Sequence, residues 1–329
     1  MRIALAGAVR SSRRVLQALL DHGLDVVGVF GHVPADPSRV SGHVSLEPLA
    51  TAAGVPFHPF VRINDELERI RACAPDLLFV VGLSQLVSQD ILDIPRHGCV
   101  GFHPTRLPER RGRAPLAWLA LEQAGGAANF FRIAGGVDDG PIYASVPFEV
   151  DERDDAEAVS GKLGEATDRA LAEWLPRLAA GDLSATAQDE SRATYRGRRG
   201  PEDGLIDWHA PATAIVRQVR AAARPHPGAF THLQDTRLIV WHAGLEQRLR
   251  MLGVVGRILA VDADGSFVVQ CGEGLLRVHE HDTAEGEAVP RVGVRLGYYA
   301  DSELFRLRAE VAELRARLDR LERRADEDA

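Results

Sequence analysis

The first half of the chain alternates between short apolar runs and amphipathic segments. The runs at residues 2–7, 25–30 and 77–81 predict buried strands, because a strand covered by helices on both faces carries a continuous apolar sequence. After the first run, apolar residues recur at helical spacing, at Val15, Leu16, Leu19 and Leu20. This alternation predicts an α/β fold with a doubly wound, mostly parallel sheet.

The pattern changes after residue 98. Shorter strands are predicted at residues 98–102, 128–133 and 142–149, followed by a long helix from about Ala156 to Ala180. Residues 195–201 form a polar segment with glycine and proline, which is typical of a linker. We therefore predict a first domain over residues 1–194 and a linker over residues 195–201.

Residues 202–299 are predicted to form a second, smaller domain. After one helix near residues 212–223, five short strands are predicted at residues 229–233, 237–242, 254–261, 267–271 and 275–279. Asp/Gly turns separate several of them. Five short strands of this kind predict a small, OB-like β-barrel.

The last segment, residues 300–329, has a different pattern. Its apolar residues are spaced alternately three and four apart, at Leu304, Leu307, Val311, Leu314, Leu318 and Leu321. This spacing predicts a coiled-coil helix of about three heptads. The helix either pairs with a second chain, making a homodimer, or packs on its own domain. We prefer pairing, because the other faces of the helix are charged all round.

Composition and charge narrow the possible partners. The net charge of −8 and the pI near 5.9 make a nucleic acid an unlikely main partner. The three cysteines have neither metal-type nor disulfide-framework spacing, so we expect no metal site and a reducing compartment. The apolar run at residues 2–7 is too short for a signal peptide or membrane span. We expect a cytoplasmic protein with no membrane association.

The strongest candidate for chemistry is His103, which leaves the end of the run Gly98–Val100. Pro104, Pro108 and Pro115 stiffen the loop that follows. Open α/β sheets place their chemistry at the carboxyl ends of strands. A carboxylate from the tight Asp138-Asp139-Gly140 turn could reach the imidazole and form an acid/base pair. A dinucleotide site is disfavoured, because the turn after the first strand has one of the three glycines of that fingerprint.

The block Gly98–Trp118, followed by Asp138-Asp139-Gly140, resembles the 10-formyltetrahydrofolate-dependent formyltransferases. That family includes methionyl-tRNA formyltransferase and the sugar N-formyltransferases. The resemblance continues through residues 76–89 and, in the second half, through Leu205–Trp208 and Pro227–Phe230. It implies a Rossmann-like formyltransferase domain, a small-molecule amine as substrate and 10-formyltetrahydrofolate as co-substrate.

The resemblance also assigns roles to individual residues. His103 would shuttle a proton while Asp138 orients it and raises its basicity; Asp139 competes for that role, but the spacing to Gly140 favours Asp138. The co-substrate site would be formed by Gly82, Leu83, Ser84, Gln85, Leu86 and Val137.

The sequence departs from the family at Gly101, where the family pattern has an asparagine whose amide steadies the oxyanion. Three interpretations remain open. Another donor serves, such as the backbone near Gly101, Thr105 or Asn129; or a related one-carbon group is transferred; or the chain is a catalytically impaired homologue acting as a binding protein. We prefer the first, because His103, Asp138 and the Arg111–Arg113 loop occur together.

The amine acceptor is predicted from the basic residues. The stretch Gly31–Ser45, where the tRNA enzyme carries a basic loop, has a single arginine, Arg39. This disfavours methionyl-tRNA formyltransferase, which stays as the alternative, and favours a nucleotide-linked amino sugar. Arg111 and Arg113 would then bind the diphosphate or the folate glutamate tail. The competing interpretation is a solvated loop with intramolecular ion pairs.

Overall fold

The computed structural model describes residues 1–37, 40–234, 236–283, 289–297 and 300–327. The chain forms two compact units. The first comprises Met1–Gly204 and Arg217–Gly228, and the second comprises Leu205–Val216 and Ala229–Ala329. Arg39, the single arginine of the Gly31–Ser45 stretch, lies outside the described residues.

The first unit is built on a seven-stranded sheet with the order β3-β2-β1-β4-β5-β7-β8. Its strands are β1 (Arg2–Gly7), β2 (Asp25–His32), β3 (Phe57–Phe60), β4 (Leu77–Val81), β5 (Cys99–Thr105), β7 (Gly126–Arg132) and β8 (Ile142–Phe148). The first five are parallel, whereas β7 runs antiparallel to both β5 and β8. The helices are α1 (Arg10–Asp21), α2 (Glu47–Ala52), α3 (Leu67–Cys73), α4 (Gln89–Leu92), α5 (Pro115–Glu122), α6 (Ala156–Ala179) and α7 (Ala212–Ala222), the last beginning in the second unit.

Alternate residues of β1 pack on opposite faces of the sheet. Ile3 and Leu5 belong to the core formed with α1 and α6, whereas Ala4 and Ala6 pack with α3 and α4. This is the two-sided coverage of a doubly wound sheet, as the continuous apolar run predicted. The change to antiparallel pairing after β5 explains why the strand pattern shifts near residue 98.

Trp174 is the largest side chain in the core and anchors α6 on the sheet. It is fully buried, with its ring centroid 5.2 Å from Tyr143, 5.5 Å from Phe130 and 5.7 Å from Phe79. These rings come from three strands, so one residue of α6 fixes β4, β7 and β8 together. Loss of an aromatic side chain from such a position typically costs about 3–5 kcal/mol.

The predicted linker is part of the first unit. Tyr195–Arg196 forms β9, which pairs in parallel with β6 (Arg111–Gly112). The next residue, Gly197, accepts a hydrogen bond of 2.9 Å from the indole of Trp118. Within this segment the Arg196 guanidinium donates to Glu122 and the Tyr195 hydroxyl accepts from Arg111, and both partners lie in the first unit. The division of the chain thus differs from the predicted boundary.

The second unit contains a five-stranded antiparallel sheet with the order β10-β11-β14-β13-β12. Its strands are β10 (Ala229–Leu233), β11 (Thr236–Glu246), β12 (Ile258–Val261), β13 (Phe267–Gln270) and β14 (Leu275–Thr283). Arg295 and Leu296 bridge its two outer edges, because Leu296 pairs with Leu233 and Arg295 pairs with Arg257. This connection between the outer strands is the feature expected of an OB-like barrel.

The C-terminal helix is α8 (Ala300–Glu327), as predicted from the heptad spacing. The last two residues of the predicted tail, 328 and 329, lie outside the described residues. Pairing of this helix with a second chain is a prediction.

Candidate active site

His103 lies on β5, near the carboxyl end of the strand and 4% exposed. Strand β7 runs beside it and places Asn129 opposite His103 and Phe131 opposite Gly101. Because side chains alternate along a strand and opposite residues share a face, these four residues lie on one face of the sheet. The sequence placed His103 at this strand end, and the structure confirms its position.

Both nitrogens of His103 have oxygen partners. Nε2 lies 3.0 Å from the carbonyl oxygen of Arg110, and Nδ1 lies 3.4 Å from Oδ2 of Asp138. A carbonyl only accepts, so we assign the proton of the neutral imidazole to Nε2, which donates it to Arg110. Nδ1 then faces the carboxylate with its lone pair, and the space between Nδ1 and Oδ2 is where a further proton would be held.

Asp138, and not Asp139, is the carboxylate that faces His103. Its backbone has a φ of 51°, in the left-handed region, and Oδ2 accepts a hydrogen bond of 2.9 Å from the backbone N–H of Gly112. This left-handed turn directs the carboxylate toward the imidazole. The spacing to Gly140 predicted this choice between the two aspartates.

Burial lowers the pKa of His103 from the 6.5 of an unperturbed histidine, and the Arg111 guanidinium also lowers it. The Asp138 carboxylate and the Arg110 carbonyl act in the opposite direction, since both stabilise the imidazolium. Burial outweighs them. The imidazole is therefore neutral at pH 7 and able to accept a proton, with Asp138 placed to stabilise the resulting charge.

Arg111 is fully buried, contrary to the expectation that it binds a ligand. Its Nη2 donates to Glu190 Oε1 at 2.6 Å and to Gln188 Oε1 at 2.8 Å. Its Nη1 donates to Glu190 Oε2 at 2.9 Å and to the Tyr195 hydroxyl at 3.2 Å. The hydrogen bonds that Arg111 donates to the Glu190 carboxylate raise the pKa of Arg111. This guanidinium is used inside the protein and is not presented to a diphosphate or a glutamate tail.

Arg113, two residues later, is exposed at the surface. Its backbone N–H donates to the Arg196 carbonyl at 3.1 Å, which holds the loop in place while leaving the side chain outside. Of the two arginines predicted to bind substrate, Arg113 is the one that the structure presents to solvent.

Gln188 was not identified from the sequence, although it reaches the centre of the site. Its Nε2 donates to the carbonyl oxygens of Asp138 and Gly140, at 2.8 and 2.7 Å. It lies in a polar stretch after α6 that carries no periodic or motif signal. Glu190 and Tyr195 were missed for the same reason.

Asn129 and Thr105, the expected replacement donors, are engaged elsewhere. Asn129 is 1% exposed, and its Nδ2 donates to the carbonyls of His103, Thr105 and Ala127. The Thr105 hydroxyl donates to the carbonyl of Glu109 at 2.8 Å. In this arrangement both side chains hydrogen-bond to backbone carbonyls of His103 and of the loop that follows it, and neither offers a free donor to a developing oxyanion.

The space beside Gly101 is filled by Phe131. A methyl group added at Gly101 would lie 2.6 Å from Cζ of the Phe131 ring, well inside contact distance. Phe131 is 4% exposed, so the ring has little room to move away. The Phe131 ring therefore occupies the space that a side chain at position 101, such as the expected asparagine, would need.

The loop predicted to bind the co-substrate follows β4. Gly82, Ser84 and Leu86 are exposed, with Leu86 at 90%, and Leu83 is half-buried. Gln85 differs from expectation, because Oε1 accepts from the Ile63 N–H at 2.8 Å and Nε2 donates to the Val61 carbonyl at 2.7 Å. Its amide ties two loops together. Across the site Val137, beside Asp138, is 52% exposed.

The described part of the chain contains no group of three or more His, Cys, Asp or Glu side chains placed to hold a metal ion. Within the same residues, every helix is too short or too polar to serve as a membrane span.

Two family models match the chain. The model described as "Formyl transferase" matches residues 1–175, and "Formyl transferase, C-terminal domain" matches residues 199–292. The chain belongs to the formyl transferase family. The first match covers more than half of the chain and contains both His103 and Asp138. Membership confirms the family inferred from the sequence and its two-part architecture.

Solved structures of formyl transferase proteins share the fold. HypX from Aquifex aeolicus in complex with tetrahydrofolic acid is 18% identical with a TM-score of 0.63, over 85% of this chain and 44% of HypX. The N-formyltransferase from Helicobacter canadensis, in complex with folinic acid and dTDP-3-aminofucose, is 15% identical with a TM-score of 0.62, over 85% and 99%. Methionyl-tRNA formyltransferase from Clostridium thermocellum is 18% identical with a TM-score of 0.53, over 76% and 95%.

At these identities the likeness establishes the fold of this formyl transferase, and the ligands named belong to those proteins. The chain spans less than half the length of HypX. It therefore corresponds to a part of that protein and to nearly the whole of the other two.

Proposed function

We propose that this protein transfers a formyl group from 10-formyltetrahydrofolate to the primary amine of a nucleotide-linked amino sugar. The observation that carries the proposal is the pairing of the buried His103 with the half-buried Asp138, whose Nδ1 and Oδ2 are separated by 3.4 Å. The pair lies within the region matched by the formyl transferase model. Two neighbours of the same fold were solved with reduced folates, which supports a folate co-substrate.

The co-substrate supplies an activated formyl group. The amine nitrogen forms a bond to the formyl carbon, and the carbonyl becomes an alkoxide on a tetrahedral centre. The neutral His103 Nδ1, facing Asp138, receives the proton that the amine gives up. The same pair returns that proton to N10 when the carbon–N10 bond breaks, leaving a formamide and tetrahydrofolate.

The exposed surface around the pair suits these two ligands. Leu86, at 90% exposure, offers an apolar side chain that a pterin ring would cover, beside the backbone of Gly82–Ser84. Arg113 is an exposed cation in the loop that follows His103, and it suits a diphosphate. The acidic net charge and the single arginine in Gly31–Ser45 favour this acceptor over tRNA.

The test is an assay with 10-formyltetrahydrofolate and a panel of nucleotide-linked amino sugars, following tetrahydrofolate release and the mass gain of one formyl group. We expect turnover that is lost in His103→Ala and Asp138→Asn. Arg113→Ala should raise KM for the sugar and leave KM for the folate unchanged, with the exposed Arg153→Ala as control. Turnover with charged initiator tRNA and none with sugars would instead support methionyl-tRNA formyltransferase.

A second candidate function is folate binding without catalysis. The observation that favours it is Phe131, which fills the place of the family's asparagine side chain beside Gly101. Tight binding of the folate, measured by calorimetry, together with no formyl transfer to sugars or tRNA, would support the binding protein.

A further inference from the structure

Helix α8 exposes a continuous apolar stripe. Its six members, Leu304, Leu307, Val311, Leu314, Leu318 and Leu321, are each between 45% and 56% exposed. Soluble proteins rarely leave so many large aliphatic side chains in one line facing water. We call this line the seam; it occupies alternating a and d heptad positions, with a at Leu304, Val311 and Leu318.

We propose that the seam binds the same seam of a second copy of this chain, as a parallel and in-register two-stranded coiled coil. The spacing brings every a residue against an a residue of the second copy and every d against a d. Leucine fills all three d positions, and the central a position is the β-branched Val311, a combination that favours two strands.

The charges beside the seam select a second copy as partner and set its direction. Glu303 and Glu310 occupy g positions, and Arg308 and Arg315 occupy e positions. In a parallel pair each g residue meets the e residue five places later on the other helix. Glu303 therefore meets Arg308 of the second copy, and Glu310 meets Arg315 of the second copy.

An antiparallel pair would be less favourable. With the same seam buried, Arg308 would lie against Arg315 of the second copy, and the two like charges would repel. Glu310 would gain Arg317 of the second copy, but the repulsion between Arg308 and Arg315 has no counterpart in the parallel pair, where both arginines face glutamates. In the single chain Glu303 bonds to Arg306 on its own helix, at 3.1 Å to Nε. Pairing would redirect this carboxylate to Arg308 of the second copy.

The first experiment measures the mass of the full chain by sedimentation over a range of concentrations. We expect a dimer whose dissociation constant rises at least tenfold in Val311→Asp/Leu314→Asp. The matched control is Ala309→Asp/Ala316→Asp, which adds the same charge at exposed f positions and should leave the dimer unchanged. A monomer at all concentrations, or a dimer insensitive to the seam variant, would overturn the proposal.

A second experiment fixes the direction. Leu304→Cys and Leu321→Cys are each made in a Cys73→Ser background, since the remaining Cys99 and Cys271 are buried. In a parallel dimer each variant alone forms a disulfide-linked dimer under mild oxidation. If only a mixture of the two variants cross-links, the helices are antiparallel and the proposed charge pairing is wrong.

A separate set of contacts concerns Gln188. Its amide bridges the buried Arg111 and the backbone of the Asp138–Gly140 turn, with four hydrogen bonds of 2.7 to 3.3 Å. Asp138 holds a φ of 51°, a conformation that side chains rarely adopt without support. Arg111 is in turn held by Glu190.

We infer that Gln188 is a positioning residue, which holds the Asp138 carboxylate against His103 through this bridge. The expected effect of Gln188 on turnover rests on the proposed function, whereas its effect on the geometry of the pair does not. If Gln188 no longer donated its two hydrogen bonds, the Asp138 carboxylate would keep the hydrogen bond from the Gly112 N–H, but the carbonyls of the turn would lose their bonds to Gln188. The carboxylate would then spend less time beside Nδ1.

The test compares Gln188→Glu and Gln188→Leu with Asp138→Asn. The glutamate keeps an acceptor for Arg111 but cannot donate to the Asp138 and Gly140 carbonyls. The primary readout is the pKa of His103 from NMR of its imidazole, which does not require turnover. Since the Asp138 carboxylate raises that pKa, Gln188→Leu should move it downward, in the same direction as Asp138→Asn. In Gln188→Glu the charge of the new carboxylate acts in the opposite direction, so the neutral Gln188→Leu is the deciding variant.

Gln89→Leu is the control, because that amide donates at 2.7 Å to Asp93, the residue that follows its own helix. An unchanged His103 pKa in Gln188→Leu, alongside a shift in Asp138→Asn, would overturn the positioning role. A shift without any formyl transfer in the wild-type protein would leave the positioning role standing and remove the proposed function. With activity present, we expect kcat to fall about tenfold while KM for both substrates stays within twofold.

Discussion

The ring of Phe131 lies over Gly101, so close that a Cβ on residue 101 would approach its Cζ to 2.6 Å. The two residues face each other across β5 and β7. The resemblance to the formyltransferases implies an asparagine at position 101 whose amide stabilises the oxyanion. Substitutions at Gly101 and Phe131 therefore test whether this site depends on that amide.

Restoring the asparagine alone should therefore harm the fold. Gly101→Asn inserts a side chain where the ring of Phe131 lies, and overpacking of this kind typically costs about 1–3 kcal/mol. We expect Gly101→Asn/Phe131→Ala to recover part of that loss, since the smaller residue clears the space. Urea unfolding of the four proteins in this cycle gives the coupling free energy.

The same four proteins test catalysis. If the missing amide limits the rate, the double variant turns over faster than Phe131→Ala. Equal rates for these two proteins would show that the oxyanion is stabilised by another group.

Asn129 should matter for stability more than for turnover chemistry. Asn129→Ala removes three hydrogen bonds to the buried carbonyls of His103, Thr105 and Ala127. Leaving one buried carbonyl without a partner typically costs about 1–3 kcal/mol. Ser145→Ala, which removes the single bond from its hydroxyl to Asn129 Oδ1, should cost less. Thermal melts rank the variants; an Asn129→Ala protein as stable as wild type but inactive would instead support a catalytic donor.

Arg111 and Glu190 should respond unequally to substitution. Arg111 is fully buried, whereas the Glu190 side chain is 62% exposed. Arg111→Met leaves a carboxylate that water can solvate, but Glu190→Ala leaves a buried cation with only Gln188 and Tyr195 to stabilise it. We expect Glu190→Ala to be the more destabilising, by roughly 1 kcal/mol or more. Unfolding free energies in urea provide the comparison, with the exposed Glu173→Ala as control.

The sequence predicted those features that depend on local pattern. Continuous apolar runs identified the parallel strands, and the Asp-x-Gly spacing chose Asp138 over Asp139 as the partner of His103. Both signals come from residues close together in the chain, whose geometry is set by strand ends and tight turns.

Features that depend on distant contacts were missed. Gln188 lies 50 residues from Asp138 in the chain, and no periodicity marks such a hydrogen bond. Arg111 and Arg113 are the same residue type in the same loop, yet Arg111 is buried and Arg113 is exposed. The difference arises because β6 pairs with β9, which directs Arg111 toward Glu190. The register of β5 and β7, which sets Phe131 against Gly101, is likewise a tertiary property.

The pH dependence of catalysis should report the His103–Asp138 pair directly. Burial lowers the pKa of His103, so the neutral imidazole persists below pH 6.5 and the acidic limb of kcat/KM should fall below that value. Asp138 raises the pKa, so Asp138→Asn should move the residual activity limb to still lower pH. The lowered pKa of His103 also affects the free energy of unfolding. Below pH 6.5 the folded state binds fewer protons at this histidine than the unfolded chain does. Stability is therefore lost as the pH falls from 6.5 through the pKa of the folded state. Urea unfolding between about pH 5 and pH 8 should therefore show a steeper loss of stability toward acid pH for wild type than for His103→Gln. His226→Gln is measured alongside, because burial lowers the pKa of His226 as well. An acidic limb above pH 6.5 that Asp138→Asn leaves in place would assign the titration to another group.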